Sequence, residues 1–181
     1  MNFEKEKYYH LYNRSNNREI VFRKEENFPY FLQQYHKFVS THFSTVAYCL
    51  MPTHFHFLVK AKEESKIVNS AIGVWLSAYT KAVNKRYKRH GSLFQPHTKA
   101  KLINDESYII TLITYIHQNP VRAGLVKHCA EWSFSSYRDC TGERNDPLID
   151  TSLLFHYFKK PEEYKTYADG LVKNIKKESW M

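Results

Sequence analysis

Short stretches in which apolar and polar residues alternate predict four β-strands along this chain. In a strand successive side chains point to opposite faces, so this alternation is typical of a sheet with one buried face. The strands predicted on this basis are residues 7–13, 45–51, 53–60 and 93–103. Pro52 interrupts the second stretch. Because the third stretch follows at once, the two are expected to pair as a hairpin.

Apolar residues spaced three or four positions apart predict helices between these strands. One covers residues 25–40, and a longer one begins at Ser65 and stops before Gly91, which are suitable capping and stop residues. A third begins with an acidic pair that suits the helix dipole. It is expected to end at Asn119, because Pro120 follows. Two short helices are predicted further on, at 150–158 and 161–177.

The order of the first six elements predicts the fold. Strand, helix, strand, strand, helix, strand is the βαββαβ arrangement of a ferredoxin-like α+β fold. Such a fold has a four-stranded antiparallel sheet with its helices on one face, and its first and third strands are central neighbours. The remaining helices are then extra C-terminal elements.

The third predicted strand carries two histidines, His54 and His56, on either side of Phe55. Both histidines point to the same face, and their Cα atoms are expected to lie roughly 6.5–7 Å apart. That spacing allows both imidazoles to reach one metal ion. It is equally the spacing of two sheet histidines that only make hydrogen bonds to their neighbours, so the pair alone does not establish a metal site.

The composition of the chain suggests nucleic acid as a class of binding partner. The 181-residue chain has a net charge of +9, and it contains 14 Tyr and 12 Phe. A basic surface attracts phosphates, and exposed aromatic rings stack on the bases of single strands. A basic protein with an aromatic core would have the same composition.

Charge distribution favours the nucleic-acid interpretation. From residue 65 to 104 there is no acidic side chain, whereas ordinary solvated faces mix both signs. We therefore predict a polyanion-binding groove in this stretch. The polar loop 13–18 is a second candidate, for base or hairpin recognition. The candidate DNA-binding residues are Asn13, Arg14, Arg18, Lys81, Lys85, Arg86, Lys88, Arg89, Lys99 and Lys101.

Cysteine spacing and hydropathy predict the compartment. Cys49, Cys129 and Cys140 are scattered and form no CxxC motif, so neither a disulfide scaffold nor a zinc ribbon is expected. The charged N-terminus lacks the apolar region of a signal peptide, and the longest apolar run, 46–51, is too short to span a bilayer. We therefore expect a soluble cytoplasmic protein with no membrane partner.

Tyr115 and Asn119 are one helical turn apart on the third predicted helix. If that helix packs across the sheet, both approach His54 and His56. Two imidazoles and an amide oxygen would then surround one ion, with open positions for water and a phosphate oxygen. A phenol with a pKa near 10 is a poor nucleophile by itself, and most of the chain's tyrosines must simply pack.

Several blocks of the sequence resemble a known family. The Pro52–Leu58 motif resembles the His-hydrophobe-His motif of HUH endonucleases. The Gly91–Gln95 and Tyr115–Val126 blocks resemble the IS200/IS605-like single-tyrosine (Y1) transposases, and the second block most resembles their REP-associated branch. The Trp132–Tyr137 segment also fits that branch, so the resemblance covers roughly residues 7–140.

The resemblance implies an activity for each part of the candidate site. It makes Tyr115 the nucleophile and His54 and His56 ligands of Mg²⁺ or Mn²⁺. Asn119 stands where some members have a glutamine ligand. Thr53 stands where relatives often have asparagine, and its side chain is expected to point away from the ion.

The family's substrate is single-stranded DNA with a hairpin, cleaved and rejoined by transesterification through a 5′-phosphotyrosine. The protein would act as a monomer or homodimer. Residues 1–140 would form the catalytic domain and residues 141–181 a C-terminal helical extension.

Two alternatives come from other functional classes. The first is a non-catalytic single-stranded nucleic-acid-binding protein with an RRM-like sheet, which would bind DNA without forming a covalent adduct. The second is a metal-dependent hydrolase that uses water. It needs a carboxylate base, and Glu63 and Glu64 are the nearest candidates in sequence.

Overall fold

The computed structural model describes residues 1–170, and the predicted helical residues 171–177 lie outside that range. Short 3₁₀ turns connect some of its helices and strands. In chain order the elements are β1 (Tyr8–Arg14), α1 (Asn27–Phe38), β2 (Phe43–Met51), β3 (His54–Ala61), α2 (Ser65–Tyr87), β4 (Lys99–Ile103), α3 (Glu106–Arg122), α4 (Tyr137–Cys140), α5 (Ser152–Tyr157) and α6 (Pro161–Gly170).

The four strands form one antiparallel sheet in the order β2-β3-β1-β4. This confirms the predicted ferredoxin-like α+β arrangement, with β1 and β3 as central neighbours. Their register places Arg14 opposite His54 and Tyr12 opposite His56. The histidine strand therefore lies at the centre of the sheet.

Helices α1 and α2 pack together on one face, as the prediction requires. Phe31 of α1 and Trp75 of α2 have ring centroids 4.6 Å apart, and Trp75 Nε1 donates a hydrogen bond to the Phe31 carbonyl oxygen at 3.2 Å. Both rings pack on Phe55, and Trp75 also contacts Phe57. These two phenylalanines are the odd-numbered residues of β3, so its even-numbered residues must face the other way.

Helix α3 covers the opposite face of the sheet. Its Ile109 and Ile113 belong to a second core that includes Leu58 of β3. Tyr164 and Ala168 of α6 complete this core from the outside. Because Leu58 shares its face with His54 and His56, the histidine pair lies between the sheet and α3.

The segment after α3 closes the outer edge of the sheet. The Leu50 backbone N–H of β2 donates to the Phe134 carbonyl at 2.9 Å, and the Ser136 N–H donates to the Tyr48 carbonyl at 3.0 Å. Trp132 Nε1 donates to the Leu50 carbonyl at 3.0 Å. The edge strand is therefore paired at Tyr48 and Leu50, which protects this part of it from pairing with other chains.

The predicted start of β4 is wrong, because the strand begins at Lys99 rather than at residue 93. Phe94 makes only an isolated bridge with Ser15. Pro96 has no N–H to donate to a sheet, and His97 has a φ of 60°, which is incompatible with a strand. Residues 93–98 therefore cross the end of β1 as an irregular segment.

The predicted end of α3 is also wrong, because the helix continues through Pro120 to Arg122. A proline in a helix leaves the carbonyl of the fourth residue before it without a backbone donor. That carbonyl belongs to Ile116, and the Asn119 side-chain amide donates to it at 3.3 Å. The same amide donates to the Tyr115 carbonyl at 2.9 Å, so one side chain supports the turn that proline weakens.

Two further observations concern the cysteines and the helices of the described range. Cys49, Cys129 and Cys140 are buried and form no disulfide, as predicted. No helix within residues 1–170 has both the length and the apolar character needed to cross a membrane.

Candidate active site

His54 and His56 lie side by side on the face of β3 that α3 covers. Their ring centroids are 5.1 Å apart and their planes are nearly perpendicular, at 85°. Thr53 Oγ1 lies 3.0 Å from His54 Nδ1, and His10 Nε2 lies 2.9 Å from His56 Nδ1. Both Nδ1 atoms are thus engaged by neighbours, which leaves Nε2 of each ring as the nitrogen that can serve a ligand.

His10, on β1, is a buried histidine that the sequence did not single out. Its side chain is fully buried, and its ring stacks on His56 with centroids 5.1 Å apart. Alternation along β1 puts His10 on one face, but only the register between β1 and β3 shows that the two rings meet. No local sequence signal reveals that register.

Burial keeps all three imidazoles neutral. It lowers the pKa of His54 to about 4, with a further contribution from the positive charge of Arg14. It lowers the pKa of His10 to about 3, and Lys101 adds to the effect. The pKa of His56 is well below its usual range, because of burial and the neighbouring histidines. At neutral pH each ring therefore has one N–H and one lone pair, as a metal ligand requires.

Tyr115 of α3 lies beside His56, the more buried member of this histidine pair. Its ring centroid lies 6.2 Å from that of His56, and the two planes are close to perpendicular, at 78°. Burial raises the pKa of the Tyr115 phenol. The hydroxyl therefore keeps its proton at neutral pH, and any nucleophilic role requires help with removing it.

Arg122 supplies a positive charge beside that phenol. Its guanidinium carbon lies 6.0 Å from the centre of the Tyr115 ring, and its charge partly offsets the effect of burial on the Tyr115 pKa. Gln118 Oε1 accepts hydrogen bonds from Arg122 Nε at 3.3 Å and from Nη2 at 3.0 Å. Gln118 Nε2 in turn donates to the Ala168 carbonyl of α6 at 2.7 Å. Sequence reasoning missed Arg122, although it follows Tyr115 by two helical turns.

Comparison with known proteins shows the family of the chain. A family model described as "Transposase IS200 like" matches residues 4–119, well over half of the chain. The chain belongs to this transposase family. The resemblance that the sequence motifs suggested is therefore confirmed, and the match includes His54, His56, Tyr115 and Asn119.

Two relatives extend this finding. A Haemophilus influenzae protein provisionally named a REP-associated tyrosine transposase is 28% identical over 111 residues. That match covers 56% of this chain and 63% of the relative, so the chain spans less than two thirds of the relative's length. A solved structure of a REP-associated tyrosine transposase bound to a REP hairpin matches with a TM-score of 0.64 and 18% identity, covering 82% of this chain and 87% of that one. At that identity the structural match establishes the shared fold.

Asn119 lies one turn after Tyr115 on α3, as predicted. Its amide nitrogen donates to the backbone of its own helix, and its Oδ1 is the atom that can serve a ligand. The hydrogen bonds of the Asn119 amide go to the Tyr115 and Ile116 carbonyls and not to the histidines. Among residues 1–170 no group of three or more His, Cys, Asp and Glu side chains is arranged to hold a metal. The residues present offer two imidazole donors and at most one amide oxygen.

Three of the predicted DNA-binding cations lie on the histidine face. Lys99 pairs across the strands with Tyr12, and Lys101 lies two positions further along the same face of β4. Arg14 is close enough to His54 to lower its pKa. All three are exposed, so they line the face next to the histidines.

The other predicted cations lie elsewhere. The predicted DNA-binding cations on α2, and those just after it, lie on the side of the sheet away from the histidines. Arg86 forms an ion pair with Glu26 at 2.6 Å, and Arg89 forms one with Glu19 at 3.1 Å. The acidic partners of this acid-free stretch therefore come from other parts of the chain. Lys81, Lys85 and Lys88 are exposed in the same region.

The polar loop 13–18 has a buried residue at its start and an exposed one at its end. Asn13 is buried, and its amide donates to Thr98 Oγ1 at 2.9 Å and to the Gln95 carbonyl at 3.2 Å. It thereby fixes the irregular segment before β4. Arg18 is exposed, at the end of a short 3₁₀ turn.

His117 anchors the helix that carries Tyr115. Its Nδ1 lies 2.7 Å from the Tyr164 hydroxyl, and its Nε2 lies 2.8 Å from Ser136 Oγ. Burial lowers the pKa of His117 to about 3, so one ring nitrogen donates and the other accepts. The ring thus ties α3 both to α6 and to the segment that covers the edge of β2.

We expect His117→Leu to destabilise the protein by about 2–4 kcal/mol, because it removes two buried hydrogen bonds, one to Tyr164 and one to Ser136. His117→Gln keeps polar atoms within reach of both hydroxyls and should cost less. Urea unfolding monitored by circular dichroism measures the difference, with the exposed His36→Leu as the control. Equal stability of His117→Leu and wild type would contradict the anchoring role.

Proposed function

We propose that this protein is a single-tyrosine transposase or a transposase-like nuclease. It would cleave and rejoin single-stranded DNA that carries a hairpin, through a covalent 5′-phosphotyrosine intermediate. The observation that carries the proposal is the approach of the Tyr115 ring to His56, 6.2 Å between centroids. The chain places a phenol and a pair of neutral imidazoles together in a basic protein of a transposase family.

The proposed metal ligands are His54 Nε2, His56 Nε2 and Asn119 Oδ1. The family is generally metal-dependent. Two neutral imidazoles and an amide oxygen suit Mn²⁺ better than Mg²⁺, so we expect stronger activity with Mn²⁺. When bound, the ion polarises the scissile phosphate and stabilises its developing negative charge.

The proposed chemistry is one transesterification. The Tyr115 oxygen attacks phosphorus and forms a new P–O bond, while the bond from phosphorus to the 3′ oxygen of the preceding nucleotide breaks. The phenol loses its proton to solvent and the 3′ oxygen gains one, which leaves a phosphotyrosine and a free 3′-OH. Arg122 assists because its charge favours the phenolate form. Attack by a 3′-OH reverses the step without ATP, since the number of phosphoester bonds stays the same.

His10 has a defined part in this proposal. If His56 Nε2 is to bind a metal, His56 must carry its proton on Nδ1 and donate it to His10 Nε2. The observed 2.9 Å contact joins these two atoms. His10 would therefore hold His56 in its metal-binding tautomer and ring orientation.

We expect His10→Leu to weaken Mn²⁺ binding by about 10- to 100-fold, because the His56 N–H loses its acceptor. His10→Gln supplies an amide oxygen as a substitute acceptor and should recover part of the affinity. Mn²⁺ titration followed by electron paramagnetic resonance measures this in the absence of DNA. Unchanged affinity in His10→Leu would show that the pair has no part in metal binding.

The geometry gives little support to the hydrolase alternative. Glu63 Oε2 lies 2.7 Å from His42 Nδ1, and Glu64 is at the N-cap of α2. Both residues follow the far end of β3, about 25 Å along the strand from His54. Neither carboxylate is placed to activate a water at the histidines.

Residues 1–140 are proposed to form the catalytic domain and residues 141–181 a C-terminal extension. Tyr164 and Ala168 of α6 contact His117 and Gln118 of α3. The extension would thereby hold the nucleophile's helix against the sheet. We propose a monomer or homodimer as the active form.

The experiment that tests the proposed function is direct. The protein is incubated with single-stranded hairpin DNA and Mn²⁺, and the products are separated on a denaturing protein gel. A DNA-bearing protein band that resists denaturation supports the proposal. Binding of the same DNA without any such band would favour the non-catalytic alternative.

A further inference from the structure

One aromatic residue on the histidine face has no role in the chemistry above. Tyr12 lies in the middle of β1, opposite His56 on β3 and opposite Lys99 on β4. Its neighbours His10 and His56 are buried beneath α3, whereas Tyr12 is half-buried and lies outside the core that α3 forms with the sheet. Its phenol ring therefore reaches the open part of this face.

The surroundings of Tyr12 combine positive charge with flat rings. Its ring centroid lies 4.8 Å from that of His10 and 6.0 Å from that of His56. Arg14, two residues along the same strand, shares its face and is exposed, as is Lys99 across the strand pair. A half-exposed ring thus has one exposed cation next to it along β1, a second opposite it on β4, and His56 opposite it on β3.

We propose that Tyr12 is a stacking site for a nucleobase of the single-stranded substrate, next to the phosphate held at the histidines. This inference rests on the proposed function, because it takes the histidines as the site of the scissile phosphate. A base stacks on the phenol ring, while Arg14 and Lys99 contact phosphates of the same strand. Such a site accepts any base with a π-face.

The site distinguishes single strands from duplexes. In a duplex each base is already stacked and paired, so it cannot lie flat on a ring that projects from a sheet. In a single strand the base is free to turn outward. The platform therefore contributes to affinity for single strands and not to affinity for duplex DNA.

The test measures binding without chemistry. The hairpin oligonucleotide carries 2-aminopurine at successive positions outside the stem, and it is titrated into the Tyr115→Phe protein without metal. Stacking on Tyr12 is expected to quench the fluorescence at one position. Adding Tyr12→Leu should remove that quenching and weaken single-strand binding by about 10- to 100-fold. Duplex binding should not change.

Two further variants serve as controls for the loss of the Tyr12 ring. Tyr12→Phe keeps the ring and should retain both the quenching and the affinity within about 2-fold. Tyr157→Leu replaces an exposed tyrosine of α5 and should change neither. Absence of quenching at every position in the protein with Tyr12 intact would overturn the proposal, even if Tyr12→Leu did not fold.

The results distinguish a failure of the Tyr12 stacking site from a failure of the proposed nuclease function. Quenching that depends on Tyr12, combined with no covalent adduct when the wild-type protein is incubated with the same DNA and Mn²⁺, would support the stacking site and overturn the nuclease. A covalent adduct with no quenching, and with unchanged affinity in Tyr12→Leu, would leave the nuclease standing and overturn the stacking site.

Discussion

Replacing Tyr115 with phenylalanine is expected to abolish DNA cleavage and the covalent adduct, with a loss of at least about 10³-fold in cleavage rate. The substitution removes only the hydroxyl that would attack phosphorus. The ring still packs against His56 and beside Arg122, so the fold and hairpin binding should be preserved. Cleavage is measured with end-labelled DNA on a sequencing gel, and binding by fluorescence anisotropy.

The matched control for this variant is Tyr157→Phe. Tyr157 is 44% exposed at the end of α5, and loss of its hydroxyl should leave cleavage unchanged. If Tyr115→Phe still formed a covalent adduct, another residue would be the nucleophile. If it cleaved DNA without an adduct, water would be the nucleophile, as in a hydrolase.

Replacing His54 with alanine is expected to reduce cleavage by about 10²-fold or more and to weaken Mn²⁺ binding in parallel. His54 is less buried than His56, so its loss should disturb packing less. The remaining imidazole and the Asn119 oxygen form too small a donor set to hold an ion firmly. Cleavage is measured across a Mn²⁺ titration, which separates weak binding from slow chemistry.

His36→Ala is the control for this second variant, since His36 is exposed on α1, behind the sheet. It should keep the Mn²⁺ dependence of the wild type. Cleavage by His54→Ala that needs no metal, or that shows wild-type Mn²⁺ dependence, would contradict the proposed ligand role.

Periodicity predicted the parts of the fold that depend on local pattern. The alternation in β3 identified the common face of His54 and His56, and the helical spacing identified the turn from Tyr115 to Asn119. The element order then placed β3 at the centre of the sheet, because few topologies join such elements without crossing. These features follow from residue spacing alone.

Features that depend on distant residues were not predictable in this way. The His10–His56 contact depends on strand register, and the ion pairs of Arg86 and Arg89 depend on acidic residues of an earlier segment. The passage of the helix through Pro120 has a local cause instead, since the Asn119 side chain bonds the carbonyl that proline leaves without a donor. A rule based on proline alone cannot include that compensation.

The central claim is that Tyr115 is the residue that becomes joined to DNA. The most direct measurement is to trap the adduct on hairpin single-stranded DNA with Mn²⁺, digest both the protein and the DNA, and identify the modified peptide by mass spectrometry. The account predicts a nucleotide 5′-phosphate on Tyr115 in the peptide that contains His117 and Gln118. A nucleotide on Tyr12, which is also close to His56, or on any residue other than Tyr115, would contradict it.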